Sequence, residues 1–442
     1  MSATPARRIA FEVLLRVERG GAYASRALDA ALAQAGAIDP REAGLATELV
    51  YGTLRRALAL DAALAPHSRR PIPELDPAAR VALRLGAYQL LHLGTPAHAA
   101  VGEAVALAKG VEHGRAAGYV NAVLRALARS TALPPPPLDV DPAGHVAAAE
   151  ALPRWLAEEW VAWLGAAEAL TLARAMNGPA PLAVRSPRRD DLLAAARAAG
   201  LAADPAARSP DGVVLSGASV ADLARAAAGV PFQVQDEAAQ LVTLFAAGDL
   251  RGRRARVLDA CAAPGGKAFH LAELLAPGSE VVAVELHPRK ADELAKEAAR
   301  RGLAVRVVCA DASRPIPGLE EASFDAVLVD APCAGLGTLR RHPELKLRRA
   351  AADLPRLAAL QRALLDNVAR YARPGAPVTY SVCSLSRAEG PELAAAMLAS
   401  GWRRAPPPAG FPADALSPEG DLLTLPSRHG TDGFYAVRLA RR

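Results

Sequence analysis

The carboxy-terminal half of the chain predicts a doubly wound α/β fold with a mostly parallel sheet. Three observations carry this. From Arg256 onward, short apolar runs rich in β-branched residues alternate with longer amphipathic stretches, the rhythm of strand–helix–strand units. The runs are nearly continuous in apolar character, as expected of strands buried on both faces. They also close on acidic residues, Asp259, Glu285, Asp311 and Asp330, at the strand ends where open α/β sheets bind their ligands.

The chain has 442 residues, long enough for two or three domains. Residues 1–130 read as an all-helical domain. In ARRIAFEVLLRVERG, Ile9, Val13, Leu14 and Val17 share one face with charge opposite. Later helical stretches are separated by Pro, Gly or Asp. Arg7, Arg8, Arg55, Arg56, Arg69, Arg70, Arg115 and Arg125 recur along this domain, either as a solvated surface or as a face for nucleic-acid phosphates. Residues 131–144, TALPPPPLDVDPAG, read as a stiff linker, because four consecutive prolines favour polyproline II. Residues 145–230 read as one or two helices carrying Trp155, Trp160 and Trp163, more in keeping with packing than base stacking, and then a small α/β module from Pro181.

Residues 231–442 form the sheet domain. ARVLDA, EVVAVELH, AVRVVCAD, FDAVLVDA and APVTYSVC are its strands. The tail, GWRRA and GFYAVRLARR, suits a terminal hairpin.

Composition narrows the function. A net charge of +6 leans mildly towards polyanionic partners. The four cysteines, Cys261, Cys309, Cys333 and Cys383, contain no C-x-x-C pair and no neighbouring His cluster. Neither a disulfide framework nor a zinc site is expected, no metal is called for, and free thiols suit a reducing cytoplasm. Cys261 and Cys309 read as packing residues. The charged amphipathic start is unlike a signal peptide, no stretch has the uncharged length of a membrane span, and a monomer is expected.

Strand one runs from Asp259 into CAAPGGKAFHLAELL, where Gly265 and Gly266 allow a sharp turn and close ligand approach at a helix start. The pattern is neither a P-loop nor G-x-G-x-x-G, so triphosphate and NAD readings lose ground. Glu285, about twenty residues on, is placed for ribose hydroxyls, and Asp311 for an adenine edge. The acids describe an adenosine pocket with no demand for phosphate, and S-adenosylmethionine suits it. Lys267 reads equally as a charge near the site or as surface. Asp330 and Cys333 follow one strand and Cys383 the next, so adjacent parallel strands would bring both sulfurs and a carboxylate to one crevice. Two unrelated buried cysteines is the alternative.

The motifs CAAPGGK, VDAPCAGLGTLRRHPELK and YSVCSL resemble those of the RNA 5-methylcytosine methyltransferases. LATELVYGTLRR, AHAAVGEAVALAK and YVNAVLR resemble the NusB-like RNA-binding domain that precedes them in the RsmB/Sun type. This resemblance implies a Rossmann-like methyltransferase domain behind an all-α NusB-like domain and a small α/β RNA-recognition-like module. It implies that Cys261, Ala262, Ala263, Pro264, Gly265, Gly266, Lys267, Glu285, Asp311 and Asp330 bind S-adenosylmethionine. Cys383 would be the nucleophile, Cys333 would assist product release, and Asp330 would assist at ring nitrogen 3 of the cytosine. The implied substrate is small-subunit ribosomal RNA; transfer RNA, a small molecule, or a non-catalytic assembly role are the rivals. Two departures stand out: Val382 precedes the nucleophile where the family often has Thr, and AVRSP after Pro181 lacks the family's Asn. Arg340, Arg341, His342 and Lys346, after Cys333, read either as RNA contacts or as a solvated charge run.

Overall fold

The structure, a computed structural model, describes residues 3–110, 116–131 and 134–441; Arg115 lies outside them. The chain divides into two compact units, Met1–Gly178 with Leu339–Arg349, and Pro179–Thr338 with Ala350–Arg442.

The first unit is helical. Pro5–Gly20, Ala24–Ala35, Pro40–Leu64, Pro77–Leu91, Ala97–Lys109 and Ala117–Leu127 build one core from Ile9, Leu14, Leu49, Leu60, Leu83 and Leu124, among others. Local chemistry fixes two helix starts: Asp39 and Asp76 each accept a backbone N–H beside a proline in the first turn. The expected linker, residues 131–144, does not end the helical unit. Pro142 already opens a helix, capped by Asp141, and the helices through Met176 stay with this unit. Arg56 draws them in, donating to the Ala149 carbonyl at 3.0 Å and pairing with Glu150.

The second unit holds two sheets. Strands β1 (Leu182–Arg185), β2 (Ala202–Pro205), β3 (Gly212–Ser216) and β4 (Gln233–Val234) form an antiparallel sheet in the order β2-β3-β1-β4. Its fourth strand extends the small module past residue 230.

The larger, eight-stranded sheet contains β5 (Arg256–Asp259), β6 (Glu280–Glu285), β7 (Val305–Cys309), β8 (Ala326–Asp330), β9 (Val378–Val382), β10 (Trp402–Arg404), β11 (Leu422–Thr424) and β12 (Phe434–Arg441). Its order is β10-β12-β9-β8-β5-β6-β7, with β11 beside β12. The strands from β7 across to β9 are parallel, and β12 runs antiparallel to β9. The tail strands do pair, but β10 and β12 are joined by a long excursion rather than a hairpin turn. Alternate residues of each central strand enter two cores. Val257 and Leu328 face the helices Glu237–Ala247 and Gly266–Leu274, while Leu258 and Val329 face Asp353–Val368 and Pro391–Ala399. The chain order reverses between β5 and β8, so the crevice at this sheet's switch point opens beside Asp259 and Asp330.

Candidate active site

β5 ends in Asp259 and turns sharply into the helix Gly266–Leu274. The Ala262 N–H donates to the Val284 carbonyl at 2.9 Å and the Gly265 N–H to that of Ala262 at 2.7 Å. Ala263 and Pro264 complete the turn, which carries Cys261 at its start. Gly265 is required twice over: its φ is +107°, and a Cβ there would meet Phe269 and Leu294 at 2.5–2.6 Å. Arg185 of β1 is buried beneath this turn. It donates to the Gly266 carbonyl at 3.2 Å and to Gln235 at 2.6 Å, and it pairs with Glu273.

The acids converge on the open end of the sheet. Asp259 is buried, and among the described residues no side chain hydrogen-bonds to either of its carboxyl oxygens. Burial, then repulsion from Asp330, pushes its carboxyl up to about 7 against the pull of Lys267. Burial also pushes the Cys261 thiol up, with the neighbouring carboxylates adding to the effect. Glu285 ends β6 and accepts the His287 N–H at 2.9 Å. Asp311 stands two residues beyond β7, not at its last residue. Ser313 donates to it from its hydroxyl at 2.7 Å and its N–H at 2.9 Å, holding the carboxyl below its ordinary range.

Asp330 and Ser381 are register partners on β8 and β9. The Ser381 hydroxyl donates to Asp330 Oδ1 at 2.7 Å, and Lys267 Nζ reaches Oδ2 at 2.6 Å. Lys267 is therefore paired with Asp330 and not solvated at the surface. Desolvation pulls its ammonium down, but Asp330, Cys383 and Asp259 together outweigh that and raise it. Cys333 and Cys383 face each other with sulfurs 3.4 Å apart. The Cys383 contact, then burial, raises the Cys333 thiol well above its ordinary range.

Two readings are corrected. Cys309 is exposed at the end of edge strand β7, not packed. The charges after Cys333 are not an open loop, because Leu339–Arg349 belongs to the helical unit. Arg340 and Lys346 are buried there, and Arg341 and His342 half-buried. Lys346 donates to the Arg55 carbonyl and, at 3.3 Å, to Asn177. Arg348 donates to the carbonyls of Val17 (3.0 Å), Gly21 (2.9 Å) and Ala22 (2.6 Å). Arg55 and Arg56 are likewise used in internal packing, while Arg8, Arg69, Arg70 and Arg125 stay exposed.

Sequence reasoning missed Ser381, Arg185 and Leu286. Leu286 is an apolar side chain 56% exposed directly after Glu285, and its position after the β6 acid was the available signal. The residues present fit an adenosyl group: the buried Asp259 carboxyl, Glu285 at a strand end, a glycine turn at a helix start and an apolar side chain exposed at Leu286. Among the described residues there is no helix long and apolar enough to cross a membrane, and no cluster of His, Cys, Asp and Glu disposed to hold a metal.

Comparison with known proteins identifies the family. A family model described as 16S rRNA methyltransferase RsmB/F matches residues 251–440, and a NusB family model matches residues 4–129. The ribosomal RNA small subunit methyltransferase B of Thermus thermophilus is 38% identical over 442 residues, covering 100% of this chain and 99% of that protein. The Pseudomonas syringae pv. tomato protein of the same name is 36% identical over 419 residues, with 91% and 90% covered. The crystal structure of PH0851 superposes with a TM-score of 0.84 at 22% identity, over 99% of both chains, a likeness of fold. The chain belongs to the RsmB/F family of 16S rRNA methyltransferases, with a NusB-family region ahead of its methyltransferase sheet.

Proposed function

We propose that this protein methylates carbon 5 of a cytosine in small-subunit ribosomal RNA, through a covalent bond between Cys383 and the base. The observation that carries the reading is the pair of sulfurs 3.4 Å apart, beside a carboxylate–ammonium pair at the sheet's switch point. The names of the relatives support the RNA class.

S-adenosylmethionine would supply an electrophilic methyl group, and the residues that would hold it are the Cys261–Lys267 turn, Glu285 and Asp311. Carbon 5 of cytosine is a poor nucleophile. Addition of the Cys383 thiolate to carbon 6 pushes the ring's π electrons onto carbon 5, which can then take the methyl group. Asp330, held by Lys267 and Ser381, anchors the hydrogen bonding at ring nitrogen 3 that makes this addition easier. Release then requires a base to remove the carbon-5 proton, so that its electron pair rebuilds the double bond and expels the Cys383 sulfur.

Cys333 suits that second role by its timing. While Cys383 carries a free sulfur, its hydrogen bond and charge are leading causes keeping Cys333 protonated. Once Cys383 is a thioether that charge is gone, and Cys333 yields its proton more readily. The reacting cytosine has to leave its stack to enter the crevice. A non-catalytic assembly factor would have no need of this complete set of groups.

The test is incubation of Cys383→Ala and Cys333→Ala with labelled S-adenosylmethionine and ribosomal RNA, followed by mapping of methylcytosine. Cys383→Ala should give neither product nor adduct. Cys333→Ala should accumulate a protein–RNA adduct resistant to denaturant. Exchange of the two phenotypes would overturn the assignment of roles.

A further inference from the structure

We propose that Glu389 is the positioning residue that sets Cys333 against Cys383. It is wholly buried, in the loop between β9 and the helix Pro391–Ala399. One carboxyl oxygen accepts the Ala334 N–H at 2.8 Å and the Gln361 side-chain amide at 3.0 Å. The other accepts the Ser384 hydroxyl at 2.5 Å. Ala334 directly follows Cys333, and Ser384 directly follows Cys383. A single carboxylate is thus bonded to the residue after each thiol and ties the two loops in register.

The surrounding bonds reinforce this clamp. Gln361 also donates to the Pro332 carbonyl at 2.9 Å, so the residues on both sides of Cys333 are held. The Tyr380 hydroxyl lies 2.9 Å from Gln361 Oε1 and 2.5 Å from the Glu389 carbonyl, bracing the network from β9. The Gly337 N–H donates to the Cys383 carbonyl at 3.0 Å, and a side chain at Gly337 would run into the Gly433 carbonyl. Burying a carboxylate is costly unless donors surround it. Ala334, Gln361 and Ser384 all donate to it, and Ala334 and Ser384 sit on the thiol-bearing loops.

The proposal rests on both sulfurs acting on one substrate, so its test begins with a readout that uses neither RNA nor methyl donor. Diamide takes two electrons and two protons from a pair of thiols. One S–S bond forms, and the diazene is reduced to a hydrazine. The rate of Cys333–Cys383 crosslinking in the full chain, followed by peptide mapping that separates it from Cys261 and Cys309, measures how well the sulfurs are apposed.

Three variants separate reach from charge. Glu389→Gln keeps the reach and loses the charge; Glu389→Asp keeps the charge and shortens the reach; Glu389→Ala loses both. Glu389→Gln should crosslink within about threefold of the parent, whereas Glu389→Asp and Glu389→Ala should slow at least about tenfold, as expected for a misplaced reacting pair. With RNA and S-adenosylmethionine, Glu389→Asp should build up the denaturant-resistant adduct while Glu389→Gln turns over. Thermal melting checks each variant's fold, and if Glu389→Ala does not fold the other two decide the matter. Parent-like crosslinking in Glu389→Asp, or equal slowing in Glu389→Gln and Glu389→Asp, would overturn the proposal. Failure of the adduct readout with the crosslinking result intact would count against the cytosine chemistry instead.

Discussion

Lys267, at the open end of the large sheet, and Lys346, in the segment that returns to the helical unit, are both withdrawn from water, yet their surroundings drive them in opposite directions. Lys267 pays desolvation but meets Asp330 at 2.6 Å, with Asp259 and Cys383 near, and its ammonium is raised. Lys346 donates to the neutral oxygens of Arg55 and Asn177. Burial, then Arg56 and Arg55, pushes it down to about 7, and Glu150 only partly offsets them. The difference teaches how to tell a working lysine from an anchoring one. Burial alone says neither; a carboxylate partner in a ligand crevice marks the first, and a carbonyl at a packing seam the second.

Lys267→Met should break this comparison most visibly. It strips Asp330 of its counter-charge and should lower single-turnover methylation by about 10²–10³-fold, the scale of losing one preorganised electrostatic group. Lys267→Arg should lose less. Activity within about threefold of the parent for Lys267→Met would place that lysine with Lys346 as scaffold.

Lys346→Met should act on stability and not on chemistry. Because the folded-state value is depressed towards 7, the native protein binds fewer protons than the unfolded chain between about pH 7 and the ordinary lysine value near 10.4. The parent therefore gains stability as pH rises through that window. The variant should match or exceed the parent by about 1 kcal/mol at pH 7, and lose that advantage towards pH 10. Melting temperatures at the two pH values measure this. A large destabilisation, equal at both, would show that the lysine's hydrogen bonds outweigh its desolvation.

Asp259→Asn should have the smallest effect. Its carboxyl is raised to about 7, so the native state holds a proton that the unfolded chain gives up above about pH 4. Stability falls as pH rises from about 4 to 7 and levels off above. The amide variant should flatten that slope, gaining most over the parent at pH 8 and least at pH 4. A parallel pH profile would mean that Asp259 stays ionised in the fold.

Much of the sheet and its site was legible because the signals are local. A strand followed by an acid and a Gly pair is nearly a structure in itself, and so is a strand followed by Pro-Cys. The parallel pairing of β8 with β9 then brought the thiols and Asp330 together. What was not legible depended on distant partners. The charges of RRHPELKLRR look solvated until one sees the carbonyls of Val17, Ala22 and Arg55 waiting for them. Cys309 looked apolar by composition, but β7 is the sheet's edge strand and leaves it open. Glu389 sits in an ordinary-looking RAEGPE turn, and only the helix that supplies Gln361 reveals its burial.

The late return of Leu339–Arg349 also has a consequence for synthesis. The Ala24 N–H finds Glu344, and the helical core finds Leu347, only after residue 349 has been made. At ordinary translation speeds the nascent chain waits roughly ten to thirty seconds between releasing Gly178 and delivering that segment. For that interval the first-made part of the protein lacks the partners that Glu344 and Leu347 supply, and a message truncated before residue 339 would never provide them.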